Sequence, residues 1–136
     1  AAFLAHQTLA FYEGDPYVKT FNKTADFRQA VLESDGMWYV QFYAPWCGHC
    51  QQMTPKYKNV AKLLRGIVNV AAVDATAEGF GKRLAGKHGV QGYPTILMFG
   101  DNKEDPQPYE GPREIQNMVE KPFEFLGNMV KARAGG

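Results

Sequence analysis

Met37-Trp38-Tyr39-Val40-Gln41-Phe42-Tyr43-Ala44-Pro45-Trp46-Cys47-Gly48-His49-Cys50 is the stretch that decides how this chain reads. Its first half, Met37 to Tyr43, is almost uninterrupted apolar sequence, the pattern of a central strand buried on both faces. A helix-like run follows, from Gln51 to Leu64. Cys47 and Cys50, the only two cysteines, therefore stand where a strand gives way to a helix. Cys47 is expected at the helix N-terminus and Cys50 one turn inside. No third thiol is present as a partner. The two sulfurs either pair with each other or act as two reactive thiols three residues apart.

That placement has chemical consequences. Helix residues at i and i+3 share a face, within reach of an intra-turn disulfide. A helix N-terminus carries unpaired N–H groups and a partial positive charge. A thiolate at Cys47 is favoured there, and His49 adds a second positive charge. Such surroundings lower a cysteine pKa from about 8.5 into the range of roughly 3.5–7.5. A stabilised thiolate stabilises the reduced form, so the disulfide becomes a stronger oxidant. For this two-electron couple, ~1.4 kcal/mol moves the potential by about 30 mV. Cys50 is expected to be more buried and less reactive until a mixed disulfide forms.

Rival chemistries fail on count or spacing. Structural zinc needs four ligands at close spacing, whereas the remaining candidates, His6, His49 and His88, are scattered. No metal site is expected. An iron–sulfur cluster needs four thiolates. Covalent haem attachment needs a histidine after the second cysteine, and Gln51 is there instead. A purely structural bridge would close a very short loop and stabilise little.

Composition leaves this reading open and narrows the rest. The 136 residues fit one domain, large enough to bury a core without covalent staples. Formal net charge is +1 with both signs interspersed, so no basic stripe points to nucleic acid. No apolar run approaches the ~20 residues of a membrane span. Ala1 to Leu9 is mildly apolar without a basic start, and reads either as a remnant of signal cleavage or as an arbitrary boundary of the sequence. Arg133 to Gly136 carries no retention signal.

Outward from the cysteines, the elements alternate. Tyr17 to Phe21 reads as a short strand after the turn at Gly14-Asp15-Pro16. Thr24 is expected to N-cap a helix over Ala25 to Glu33, with Phe27, Ala30 and Val31 on its apolar face. Pro55 should kink the helix after the cysteines. Ile67 to Val73 reads as a buried strand, and a helix is expected from about Thr76 to Lys87. Thr95 to Phe99 is a strand, and Pro108 to Glu110 a short edge strand. Pro112 is expected as the first residue of a final helix reaching about Ala132, with Pro122 bending or splitting it. The order is βαβαβαββα, an α/β fold. Parallel neighbours and right-handed crossovers are expected early, and an antiparallel pair at the end. Residues 1–16 read as an N-terminal extension, 17–131 as the domain and 132–136 as a flexible end or a truncation point before another domain.

Four segments recur in one order: Phe42-Tyr43-Ala44-Pro45-Trp46-Cys47-Gly48-His49-Cys50, Val73-Asp74-Ala75-Thr76, Gly89-Val90-Gln91-Gly92-Tyr93-Pro94-Thr95, and Tyr109-Glu110-Gly111-Pro112-Arg113. Together they closely resemble a catalytic thioredoxin-like domain of the protein disulfide isomerase family, over about Tyr17 to Lys131. The resemblance implies a thioredoxin-like fold, with a central mixed sheet and helices on both faces. It implies a thiol–disulfide oxidoreductase and isomerase in the endoplasmic reticulum lumen, with a redox-active Cys47–Cys50 disulfide and no cofactor. Its partners would be unfolded or misoxidised client proteins and an upstream oxidase or glutathione.

The same resemblance assigns roles by position. Cys47 would be the attacking thiolate and Cys50 the resolving thiol, with Gly48 and His49 completing the motif. Trp46 would wall the site. Pro94 would be a cis-proline that aims the backbone of Tyr93 at an extended client, which pairs like an added strand. Arg113 would swing toward the resolving cysteine, against the simpler reading of an exposed charge at a helix start. One position departs from the family: its glutamate in the strand before the site is Gln41 here. A glutamine cannot titrate, so proton transfer from Cys50 is expected to use water and to be slowed.

Smaller features read more simply. Gly81 to His88 nearly spells a phosphate loop, but His88 stands where Ser or Thr is needed. Asn22-Lys23-Thr24 is a glycosylation sequon of a kind common by chance. His6 and His88 read as surface or rim residues, and Met53 and Met98 fall at core spacings. A different class, a client-binding module with secondary redox activity, would use the apolar surface of Trp46, Tyr93 and Pro94.

Overall fold

The computed structural model describes residues 11–135. β1 (Val18–Thr20) leads into α1 (Thr24–Phe27), which widens into a π-helical turn over Arg28–Leu32. β2 (Trp38–Tyr43), α2 (Gly48–Leu63), β3 (Asn69–Asp74) and α3 (Phe80–Lys87) follow. β4 (Thr95–Phe99), the two-residue β5 (Gln107–Pro108) and α4 (Ile115–Gly135) complete the chain. The βαβαβαββα order holds. His6 and the stretch Ala1 to Leu9 lie outside the described residues.

The five strands form one sheet in the order β1-β3-β2-β4-β5. β1 and β2 both run parallel to β3, whereas β4 is antiparallel to β2 and β5 antiparallel to β4. The pleat sorts β2 by alternation. Trp38, Val40 and Phe42 share one core with Phe27, Val31, Phe80 and Ala85 of α1, its π turn and α3. Tyr39 shares the other with Met53, Tyr57 and Val60 of α2 and Met118 of α4. Gln41 has the parity of Tyr39 and is fully buried, so it lies on the α2 side of the sheet.

Local hydrogen bonding moves several boundaries from their expected places. Thr24 does not cap α1. Lys23 takes that position without a side-chain bond, while the Thr24 hydroxyl accepts from Arg83 Nη2 at 3.4 Å. Thr76 does not start α3 either. Its N–H and hydroxyl both donate to Asp74 Oδ1, at 2.8 and 2.6 Å, a side-chain turn that delays the helix to Phe80. Ile67 stays outside β3 and half-exposed. α4 begins at Ile115 rather than at Pro112. It continues into the 132–136 stretch, as far as Gly135.

Neither internal proline splits its helix. Pro55 lies on the exposed face of α2. Pro122 lies inside α4 and is buried. A proline cannot donate to the carbonyl four residues earlier, here that of Met118. The Tyr39 hydroxyl donates to that carbonyl at 2.9 Å, so β2 supplies the bond that α4 cannot make for itself.

Gly81 has a packing reason. A Cβ there would lie 2.1 Å from the Asp74 carbonyl oxygen. The bare backbone lets α3 close onto the end of β3. No phosphate needs to be invoked for the glycine.

Candidate active site

β2 ends at Tyr43, and Ala44, Pro45 and Trp46 carry the chain to the start of α2. Cys47 is the N-cap of that helix, in extended backbone conformation (φ −82°, ψ 119°). Its Sγ accepts the Cys50 N–H at 3.3 Å. The sulfur thus meets one of the orphan donors of the helix start, where a serine or aspartate oxygen usually sits. Cys47 also points its thiol at the Tyr93 carbonyl, 3.6 Å away. Its exposure is 8%, and Cys50 is at 0%. The pair stands as two free thiols rather than as a bridge.

Burial dominates the chemistry of Cys50. Removal from water pushes its thiol well above the ordinary range, reinforced by the hydrogen bond and charge of Cys47. The Ala44 backbone and the Arg113 guanidinium pull in the opposite direction. Arg113 itself is exposed, two residues before the start of α4. It shares a shallow depression of about 190 Å³ with His49, Gln52, Met53, Lys56 and Glu114. His49 is exposed on the first turn of α2. Gly48 opens that turn, and nothing lies within 4 Å of where its Cβ would be.

Trp46 is 71% exposed and meets Tyr93 edge-on, with ring centroids 5.7 Å apart. The Tyr93–Pro94 peptide bond is cis. Trp46, Cys47, Tyr93 and Pro94 thus come from two chain segments and line one edge of the site.

Gln41 lies beneath. Its Nε2 donates to the Tyr12 hydroxyl at 2.9 Å, and its Oε1 has no partner among the described residues. Tyr12, Phe11, Tyr43 and Thr54 were not singled out by sequence reasoning. Phe11, Tyr43 and Tyr93 pack against the cluster of Ala44, Cys47 and Cys50. The Thr54 hydroxyl donates to the Cys50 carbonyl at 3.0 Å. Spacing from Cys50 places Thr54 one turn on, but nothing local marks Phe11-Tyr12. Among the described residues, no cluster of His, Cys, Asp and Glu fits a metal ion. No described helix is long and apolar enough to cross a membrane.

Comparison with known proteins agrees with this arrangement. The family model described as Thioredoxin matches residues 18–121. Protein disulfide-isomerase A6 of Mus musculus is 46% identical over 112 residues, which is 82% of this chain and 25% of that protein. The Homo sapiens protein matches to the same extent. The Drosophila melanogaster homologue is 40% identical over 134 residues, 98% of this chain and 30% of its own length. The chain thus spans about a quarter of the length of the first curated relatives. The first thioredoxin domain of mouse protein disulfide-isomerase A4 superposes with a TM-score of 0.66 at 36% identity, covering 79% of this chain and 74% of that one. The J-Trx1 fragment of ERdj5 shares the fold, with a TM-score of 0.73 at 24% identity over 85% of this chain and 54% of that one. Strand order, the cysteine pair at the α2 N-terminus and the matched stretch agree: this chain belongs to the thioredoxin family, and its similar relatives within it are protein disulfide-isomerases.

Proposed function

We propose that this chain catalyses thiol–disulfide exchange on protein cysteines, oxidising and rearranging client disulfides through Cys47 and Cys50. The observation that carries this reading is the cap of α2. One nearly buried sulfur takes a helix N–H, and a second, fully buried sulfur lies one turn on. That N–H belongs to the helix start, with His49 exposed on the same turn.

The cycle follows from the geometry. To reduce a client bridge, the Cys47 thiolate attacks one of its sulfurs. A Cys47–client disulfide forms, and the other client sulfur leaves as a thiolate. Cys50 then loses its proton and attacks Cys47. The Cys47–Cys50 bond forms, the client sulfur is released and protonated, and the pair is oxidised. Oxidation of a client dithiol runs these steps in reverse. Isomerisation stops at the first intermediate and lets another client thiol attack. Arg113 offsets the burial of Cys50 as it ionises. Trp46, Tyr93 and Pro94 hold an extended client segment over Cys47. Gln41 cannot take the Cys50 proton as a carboxylate would, so that proton leaves through water.

The resemblance to protein disulfide-isomerases supports the endoplasmic reticulum lumen as the compartment. It also supports an oxidase or glutathione as the source of oxidising equivalents, with no cofactor. The test is refolding of a scrambled, disulfide-bonded substrate in a glutathione buffer, with Cys47→Ser and Cys50→Ser alongside. The unchanged chain is expected to restore activity, Cys47→Ser to lose all catalysis, and Cys50→Ser to accumulate mixed disulfides. Equal refolding by all three would overturn the reading. A potential near about −180 mV fits an oxidant and isomerase, and one near about −270 mV a reductase. Gln41→Glu is expected to speed release, and equal rates across pH would remove the role given to Gln41.

The 71% exposure of Trp46 beside Tyr93 also favours client binding independent of redox chemistry. Aggregation suppression by a Cys47→Ser, Cys50→Ser double variant separates binding from exchange.

A further inference from the structure

Phe11 and Tyr12 lie before the stretch that the family model matches, 18–121, yet both reach the redox centre. Phe11 packs against the cluster of Ala44, Cys47 and Cys50, and stacks on Tyr43 with centroids 5.0 Å apart. Tyr12 is 1% exposed. Its ring meets Tyr43 and Tyr57 edge-on, at 5.5 and 5.7 Å. A turn holds this segment in place. The Asp15 N–H donates to the Tyr12 carbonyl at 3.0 Å, and Asp15 Oδ1 accepts from the Tyr17 and Val18 N–H groups.

The hydroxyl of Tyr12 is the informative atom. Packing alone would be served by phenylalanine, with no polar group to desolvate. Instead the hydroxyl accepts from Gln41 Nε2 at 2.9 Å. Separately, within α2, the Thr54 hydroxyl donates to the carbonyl of Cys50. The Gln41–Tyr12 bond thus joins β2 to the segment before β1. Gln41 Oε1 completes the cluster as a fully buried acceptor with no partner among the described residues. An amide with one unpaired end has its orientation fixed by the bond at the other end, and Tyr12 makes that bond.

We propose that Tyr12 is a positioning residue of the resolving step, its hydroxyl locking the Gln41 amide into a polar lining beneath the cysteine turn of α2. This rests on the exchange reading above. The lining matters when Cys50 attacks. The Cys50 S–H bond breaks and its proton passes to water. The Cys50–Cys47 bond forms, the Cys47–client bond breaks, and the departing client thiolate takes a proton from water. No further oxidant or reductant is needed. Cys50 shares its turn with Cys47, and the rings of Phe11 and Tyr43, which pack on the cysteine pair, carry Tyr12 against it. Arg113 draws the Cys50 pKa down, and Lys58 Nζ lies 6.0 Å over the Tyr12 ring. Fixed dipoles on the Tyr12 side supply the remaining stabilisation, and they do so only while held in register.

The test uses Tyr12→Phe in the full chain, which keeps the ring and its packing. Attack is read by mixing reduced protein with a peptide disulfide. Resolution is read from a preformed Cys47–peptide mixed disulfide, by the rate of peptide thiol release between pH 5 and 9. Loss of one bond within a buried polar set is expected to slow resolution about tenfold more than attack and to move the resolution pH profile upward. Equal slowing of both steps with an unchanged profile would make Tyr12 a packing residue and overturn the proposal. So would a resolution rate within twofold of the unchanged chain. Gln41→Leu is the second variant: in that background the hydroxyl has no amide to hold, so adding Tyr12→Phe is expected to change resolution less than twofold. A full tenfold effect there would also overturn the proposal. If the unchanged chain exchanges no disulfide at all, the function itself falls, and this inference with it.

Discussion

Replacing Tyr39 by phenylalanine tests how α4 tolerates a proline in its interior. The ring is fully buried, and only its hydroxyl is lost. That hydroxyl donates at 2.9 Å to the carbonyl of Met118, a residue that is itself 0% exposed. The usual helical donor to this carbonyl would be the N–H of residue 122, and Pro122 has none. Tyr39→Phe therefore leaves a buried carbonyl unpaired, at a cost of about 1–3 kcal/mol rather than the ~1 kcal/mol of an ordinary hydrogen bond. For a domain of this length, 2 kcal/mol corresponds to a fall in Tm of about 8 °C. The assay is urea unfolding of the reduced protein, followed by fluorescence and circular dichroism. A double-variant cycle isolates the cause. Pro122→Ala restores a backbone donor, so Tyr39→Phe in that background is expected to lose about 1 kcal/mol less than it loses alone. A loss below ~0.5 kcal/mol in the original chain, or the same loss in both backgrounds, would refute the assignment of this bond.

Three further outcomes follow from the same structure. In a Cys47→Ser background, burial keeps Cys50 protonated, so iodoacetamide should modify it at neutral pH at least about tenfold more slowly than a small free thiol; an equal rate would contradict the burial. Gly81→Ala must push α3 away from the Asp74 carbonyl and should cost about 1–3 kcal/mol in urea unfolding, and a neutral result would mean that α3 shifts freely. His88 packs against Phe42 and Phe99, and burial together with Lys87 lowers its pKa from 6.5. The unfolded chain then binds the proton more readily than the folded one. Stability should be at its plateau above pH 6.5 and fall as the pH drops below it; His88→Leu should flatten that decline, and an unchanged slope would exclude His88 as its source.

Much of the site could be read along the chain because its residues are contiguous. Met37 to Cys50 specifies a strand, a short connection and a helix start, and that local order alone puts Cys47 at the cap with Cys50 one turn on. The apolar runs of β2, β3 and β4 likewise mark a sheet covered on both faces, because only burial on two sides tolerates such runs. Boundaries were harder to read where side chains bond their own backbone. Thr76 looks like a helix start, but Asp74 takes both its donors. Pro122 looks like a break, but a hydroxyl from a distant strand meets the carbonyl it leaves.

The sequence by itself determined a pair of cysteines one turn apart, their place at a helix start, and an apolar strand leading into them. Tertiary structure alone decided what surrounds that pair. Arg113 meets His49 at one shallow depression, Tyr93 is carried to Cys47 by the segment before β4, and Phe11 packs on the cysteine pair from before β1. These residues lie tens of positions from the cysteines, and their approach depends on sheet register and helix packing. Periodicity and local propensity carry no record of those distances.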